Sequence, residues 1–157
     1  MTMRILMVCM GNICRSPTAE GVLRARLARA GLGKEIEVDS AGTLGYHAGE
    51  PPDPRAQKAA AKRGYDISKL RARRVKDVDF LRYDMILAMD KDNLSALKRV
   101  CPETLQSRLG LFLQYASRHK DEEVPDPYYG SPEAFDYVLD LAEDAAEGPV
   151  EALMQRK

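Results

Sequence analysis

"RILMVCMGNICRSPTAEGVLRARLARAG" (residues 4–31) changes its periodicity in the middle. The short apolar run at 4–8 predicts a strand buried on both faces, the kind found inside a parallel sheet. In residues 17–30, Ala19, Val22, Leu23, Leu27 and Ala30 recur at helical spacing and predict a helix. Ser16 and Pro17 suit its cap and first turn, and Gly31 its end. Between the two elements lies a loop holding Cys9, Gly11, Asn12, Cys14 and Arg15. Strand, tight loop and helix in that order form the first unit of an α/β architecture.

The alternation continues along the chain. A second strand is predicted at 35–39, followed by the long loop "SAGTLGYHAGEPPDP" (40–54). Asp53 and Pro54 cap and open an alanine-rich helix through 63, which Gly64 ends. Residues 75–82 read as a short helix, 84–89 as a third strand, 91–100 as a helix and 109–113 as a fourth strand. Ser131 and Pro132 open a final helix carrying Phe135, Val138, Leu139, Ala142, Ala145, Val150 and Leu153 at helical spacing, and Gly148 with Pro149 is expected to bend or break it. The expected fold is therefore α/β: a single doubly wound domain over residues 1–157, with a four-stranded parallel sheet flanked by helices. In that architecture ligands bind beyond the C-terminal ends of the strands, where Cys9 falls.

Composition narrows the partners. The chain has 24 Lys and Arg against 24 Asp and Glu, so no net field draws it to nucleic acid or to an anionic membrane. No apolar run approaches the roughly 20 residues of a membrane span, and three cysteines without a secretory signal suit a reducing compartment. A cytoplasmic location is expected. No Gly-x4-Gly-Lys-Ser/Thr loop, Gly-x-Gly-x-x-Gly loop, His-Glu-x-x-His motif or paired Cys-x2-Cys cluster occurs. The chemistry is expected to need no cofactor and no metal.

The loop after the first strand reads as an oxyanion site. Backbone N–H groups of a loop entering a helix N-terminus converge on an anion, and the helix dipole adds partial positive charge. Gly11 permits close approach and Asn12 tolerates a left-handed backbone. Arg15 supplies a planar fork suited to two phosphate oxygens. A thiol in that field ionises more readily than a free cysteine, so Cys9 is the candidate nucleophile, with Ser16 placed to donate a hydrogen bond to the leaving thiolate.

"CMGNICRSP" (9–17) resembles the signature of the low-molecular-weight protein tyrosine phosphatases, Cys-x-Gly-Asn-x-Cys-Arg-Ser-Pro. "SAGTLGYHAGEPPDPRA" and "DPYYG" (126–130) resemble that family's second and third characteristic segments, in order. The resemblance implies a phosphatase loop after the first strand and hydrolysis of protein phosphotyrosine, with small aryl phosphates as surrogates. Cys9 would be the nucleophile, Arg15 the phosphate clamp and Asp126 the general acid and base, while Met10, Gly11, Asn12, Ile13, Cys14 and Ser16 complete the oxyanion loop. Tyr46 and Tyr128 would line the pocket mouth, with Tyr129 and His47 beside them. Cys14 would form a reversible disulfide with Cys9, and Ser40 would hydrogen-bond to the loop. Partners implied are tyrosine-phosphorylated proteins and free oxyanions, met by a monomer or a weakly self-associating chain.

Other residues read more plainly. Cys101 is expected as a lone thiol on a surface turn, His119 as solvated, and "KLRARRVK" (69–76) as a solvated basic face that suits acidic segments of a substrate. Three rivals differ in their residues. A thiol-dependent arsenate reductase needs a cysteine pair after the third strand, where "ILAMDKDN" (86–93) has none. A protein-arginine phosphatase carries threonine at the position of Ile13. A phosphate-binding or redox-sensing module without turnover has no need of Cys9, Arg15 and Asp126 together.

Overall fold

A computed structural model describes residues 3–155, apart from the Leu153 side chain. Four strands, β1 (Met3–Cys9), β2 (Ile36–Gly42), β3 (Met85–Ala88) and β4 (Leu109–Leu111), form one parallel sheet in the order β2-β1-β3-β4. Helices α1 (Arg15–Arg29), α2 (Pro54–Lys62), α3 (Asp77–Arg82), α4 (Lys91–Val100) and α5 (Pro132–Gln155) cover it. The expected α/β architecture is the one observed. Residues 1–2 and 156–157 of the expected single domain, and the Leu153 side chain, lie outside the description.

The period of two along β1 divides the interior. Ile5, Met7 and Cys9 face the core under α1, α2 and α5, whereas Leu6 and Val8 face a smaller core under α3 and α4. Each such aliphatic side chain contributes roughly 1.5–3 kcal/mol by leaving water. Strand order reverses between β1 and β3, since β2 lies on one side of β1 while the later strands lie on the other. The crevice at that reversal is where an open α/β sheet places its ligand.

Several expectations are corrected. β2 continues to Gly42 rather than stopping at 39, because Ser40, Ala41 and Gly42 keep their register with Met7, Val8 and Cys9. β4 ends at Leu111, and Phe112–Tyr115 turn into a 3₁₀ segment. α1 starts at Arg15 with Cys14 at the cap position, so Ser16 is helical and its hydroxyl is free for other work. Cys101 is buried in the second core, its thiol facing the Pro102 carbonyl, rather than exposed. His119 is held by Asp144 at 2.8 Å, and the buried Asp144 also accepts the N–H groups of Ser117, Arg118 and His119. These bonds hold the Asp144 carboxyl below the usual range, outweighing the desolvation that opposes them.

α5 runs unbroken through Gly148 and Pro149. The glycine answers to packing: a Cβ there would lie 2.6 Å from Tyr115 Cβ and 2.9 Å from the Tyr115 carbonyl oxygen. Gly148→Ala is therefore expected to destabilise the fold by about 1–3 kcal/mol despite the better helix propensity of alanine, because the obstacle includes backbone. Urea denaturation checks it, and an unchanged or raised midpoint would contradict the packing account.

Candidate active site

Cys9 ends β1, and the chain then turns through residues 10–14 into α1. Asn12 adopts φ 58°, which folds the loop back so that its N–H reaches Cys9 Sγ at 3.3 Å. Gly42 passes beneath, where a Cβ would lie 2.7 Å from the Met10 carbonyl oxygen and 2.9 Å from that of Leu44. Only a glycine lets β2 approach the loop this closely. The first N–H groups of α1 have no intrahelical acceptor, so they remain available to an anion in the loop.

Behind the loop lies a buried polar network. Asn12 Oδ1 accepts the N–H of Arg73 at 3.0 Å, so its Nδ2 faces the other way. Nδ2 donates to Ser16 Oγ at 2.7 Å and to Ser40 Oγ at 2.9 Å. Ser16 Oγ is 3.0 Å from Cys9 Sγ, and while it accepts from Asn12 its own proton can be donated to a Cys9 thiolate. Ser40 donates to Glu20 Oε1 at 2.7 Å.

Arg15 is buried yet charged. Its Nη1 donates to Asp90 Oδ2 at 2.6 Å and to the Val124 carbonyl at 3.1 Å, leaving the Nε and Nη2 side of the fork for the pocket. Burial works against its charge, but Cys9, the Asp90 hydrogen bond and the Asp90 and Asp126 charges outweigh it and hold the guanidinium above its usual value. Asp90 follows β3 and caps α4 through the Asn93 N–H at 2.7 Å. It was not among the residues singled out from sequence, although its place just after a strand's C-terminal end is a signal that the doubly wound rule supplies.

A cavity of about 220 Å³ opens over the loop, lined by Cys9, Met10, Gly11, Ile13, Cys14, Arg15, His47, Asp126, Tyr128 and Tyr129. Asp126, half-exposed, accepts the Tyr128 N–H at 3.1 Å and places Oδ2 3.9 Å from Arg15 Nη2. The Tyr128 and Tyr129 rings meet edge to face, 4.9 Å between centroids. Arg55, held by both oxygens of Asp53, lies 5.3 Å from the Tyr128 ring centroid and steadies that wall.

Of the expected site residues, Asn12 and Ser16 stand behind the cavity rather than in it. Tyr46 is 83 % exposed and does not line the cavity. The wall on that side is His47, whose Nδ1 is 2.9 Å from Glu50 Oε2. Tyr46 and His47 are adjacent in a turn, and the backbone there directs one side chain inward and its neighbour to solvent. Arg73, expected on a solvated basic face, is instead tied to Asp39 and Asp79. Among the described residues, no group of three or more His, Cys, Asp or Glu is arranged to hold a metal ion. No described helix is long and apolar enough to cross a membrane.

A thiol at the switch point of a doubly wound sheet, inside an anion-binding loop and facing a buried arginine, defines a cysteine-based oxyanion site. The chain belongs to the low molecular weight phosphotyrosine protein phosphatase family, whose model matches residues 4–157. It is 43 % identical to a low molecular weight protein-tyrosine-phosphatase of Streptomyces coelicolor, over 99 % of this chain and 96 % of that one. A crystal structure of a protein tyrosine phosphatase from Entamoeba histolytica with Hepes in the active site superposes with TM-score 0.95 at 40 % identity, covering 98 % of each chain. Vibrio vulnificus Wzb in complex with benzylphosphonate superposes with TM-score 0.84 at 32 % identity, over 97 % of this chain and 99 % of that one. The protein is an enzyme of this phosphatase family.

Proposed function

We propose that the chain hydrolyses phosphotyrosine on proteins through a cysteinyl-phosphate intermediate. The observation that carries this reading is that one cavity is lined at once by Cys9, Arg15 and Asp126. The Cys9 thiolate attacks phosphorus in line; the S–P bond forms as the P–O bond to the aryl group breaks. Arg15 and the N–H groups of residues 10–16 hold the equatorial oxygens and neutralise their charge. Asp126 gives its proton to the departing phenolate oxygen. It then takes a proton from water, whose oxygen attacks phosphorus; the S–P bond breaks, phosphate leaves, and the thiolate re-forms against the Ser16 hydroxyl. The Vibrio relative's complex with benzylphosphonate, a phosphonate that carries an aromatic ring, supports an aryl phosphate as substrate class.

The walls favour a ring over a short chain. Tyr128, Tyr129 and His47 stand above Cys9, so a flat aryl group fills the mouth while its phosphate reaches the thiolate. A phosphoserine is too short to span that depth. With two peptides of one sequence, phosphorylated on tyrosine or on serine, kcat/KM is expected to favour tyrosine by at least about a hundredfold. Equal rates in phosphate release would overturn the selectivity.

Cys14 is the candidate redox partner. Burial, with the charges of Asp53 and Cys9, pushes its thiol up to about 12, so it is protonated at neutral pH and does not compete for phosphorus. A peroxide converts the Cys9 thiolate to sulfenic acid; Cys14 sulfur then attacks the Cys9 sulfur, water leaves, and a disulfide protects the nucleophile from further oxidation. Tyrosine-phosphorylated proteins are the proposed partners, and the chain is proposed to act in the cytoplasm, as a monomer or with weak self-association.

A further inference from the structure

Glu20 is 1 % exposed on the inner face of α1, an unusual place for a carboxylate. Oε1 accepts the Ser40 hydroxyl, while Oε2 is buried and lacks an aligned hydrogen-bond donor. Arg24, one turn along α1, brings Nη2 to 2.7 Å of Oε2 and pairs its charge. Desolvation raises the Glu20 carboxyl to about 7, partly offset by the Ser40 hydrogen bond and Arg24. Asp39 on β2 adds to the rise and Arg73 works against it. A group this costly to bury is retained where its acceptor character is used.

The hydrogen bonds show one direction from end to end. The Arg73 N–H can only donate, so Asn12 turns Oδ1 to it and Nδ2 to the two serines. At the other end Glu20 Oε1 accepts, so the Ser40 proton points to Glu20 and its lone pairs face Asn12. Without that acceptor the Ser40 proton has no partner, and its cheapest relief is to turn toward Asn12 and displace the amide. Ser16 would then lose the Asn12 donor that holds its hydroxyl beside the Cys9 sulfur.

We propose that the Glu20 carboxylate is a positioning residue for the nucleophile: by taking the Ser40 proton it holds the Asn12 amide so that the Ser16 hydroxyl donates to the Cys9 sulfur. The inference rests on Cys9 being the nucleophile of the proposed hydrolysis. Two effects of Glu20 on Cys9 have opposite signs. Its negative charge, acting through space, disfavours the thiolate, whereas the relay favours it. Arg24 at 2.7 Å neutralises most of that charge, so the relay is expected to dominate.

The test is the pH profile of Cys9 alkylation by iodoacetamide, read on the Cys9 peptide by mass spectrometry, in the full chain and in Glu20→Leu, Glu20→Gln and Ser40→Ala. In Glu20→Leu and Ser40→Ala the midpoint is expected to rise by about one pH unit, the size of one lost hydrogen bond to a charged group. Glu20→Gln keeps an acceptor for Ser40 without the charge, so its midpoint should stay at or below that of the natural chain. Unchanged or lowered midpoints in the Leu and Ala variants would overturn the relay, and so would a Gln variant that matches Leu. Ser40→Ala leaves the Glu20–Arg24 pair in place and carries the test if the Leu variant does not fold. Phosphate release from an aryl phosphate is measured alongside. Failure of the natural chain to turn over sinks the hydrolysis reading, while the alkylation profile still decides the relay.

Discussion

Cys9→Ser is expected to abolish phosphate release from aryl phosphates, with a loss on the order of 10⁴-fold or more in kcat. A serine hydroxyl occupies the same place at the end of β1, but it is far from ionised at neutral pH and has no base beside it. Its neighbours are Ser16 and the Asn12 N–H, both hydrogen-bond donors. They stabilise an anion already formed, and neither removes a proton. The loop itself is undisturbed, so the variant should bind inorganic phosphate at least as tightly as the natural chain, because a negative charge beneath the dianion is gone. Calorimetric titration with phosphate and a turnover assay read the two effects separately. Residual turnover near the natural rate would remove Cys9 from the mechanism, and lost phosphate binding would show that the substitution damages the loop.

Asp126→Asn is expected to lower kcat by about 10²- to 10⁴-fold with little change in phosphate binding. The side chain keeps its shape and its hydrogen bond to the Tyr128 N–H, but it has no proton to give the leaving group and no basic oxygen to activate water. The loss should depend on the leaving group. A strongly acidic phenol departs without assistance, so the deficit in the first step shrinks along a series of increasingly acidic phenols. A single-turnover measurement of phenol release follows that step. No loss in that step would assign Asp126 to hydrolysis of the intermediate alone, and an equal loss for every phenol would assign it to holding Arg15, from which its Oδ2 is 3.9 Å distant.

Most of the scaffold was legible because its signals are local. The change of period at Cys9, the alanine-rich helix capped by Asp53 and the helix 91–100 depend on residues within a few positions of one another, and each stands where expected. The oxyanion loop was legible for the same reason: Cys9, Asn12 and Arg15 fit one short turn. Boundaries were less legible. Nothing local marks Ser40, Ala41 and Gly42 as strand; they extend because β1 runs beside them. Pro149 locally predicts a break, yet α5 continues while packed against Tyr115.

The amino-acid sequence by itself therefore determined the class of fold, the place of the anion loop and the identity of its thiol and arginine, since these follow from short-range pattern and backbone geometry. Tertiary structure alone decided what acts on them. Asp90 and Val124, separated from Arg15 by 75 and 109 residues, orient its fork only when β3 and the loop before Asp126 close over α1. His47 rather than Tyr46 faces the cavity, and Glu20 reaches the nucleophile only through Ser40 on the neighbouring strand. Hydrogen bonds and charges act over a few ångströms in space, and separation along the chain carries no record of which groups folding brings that near.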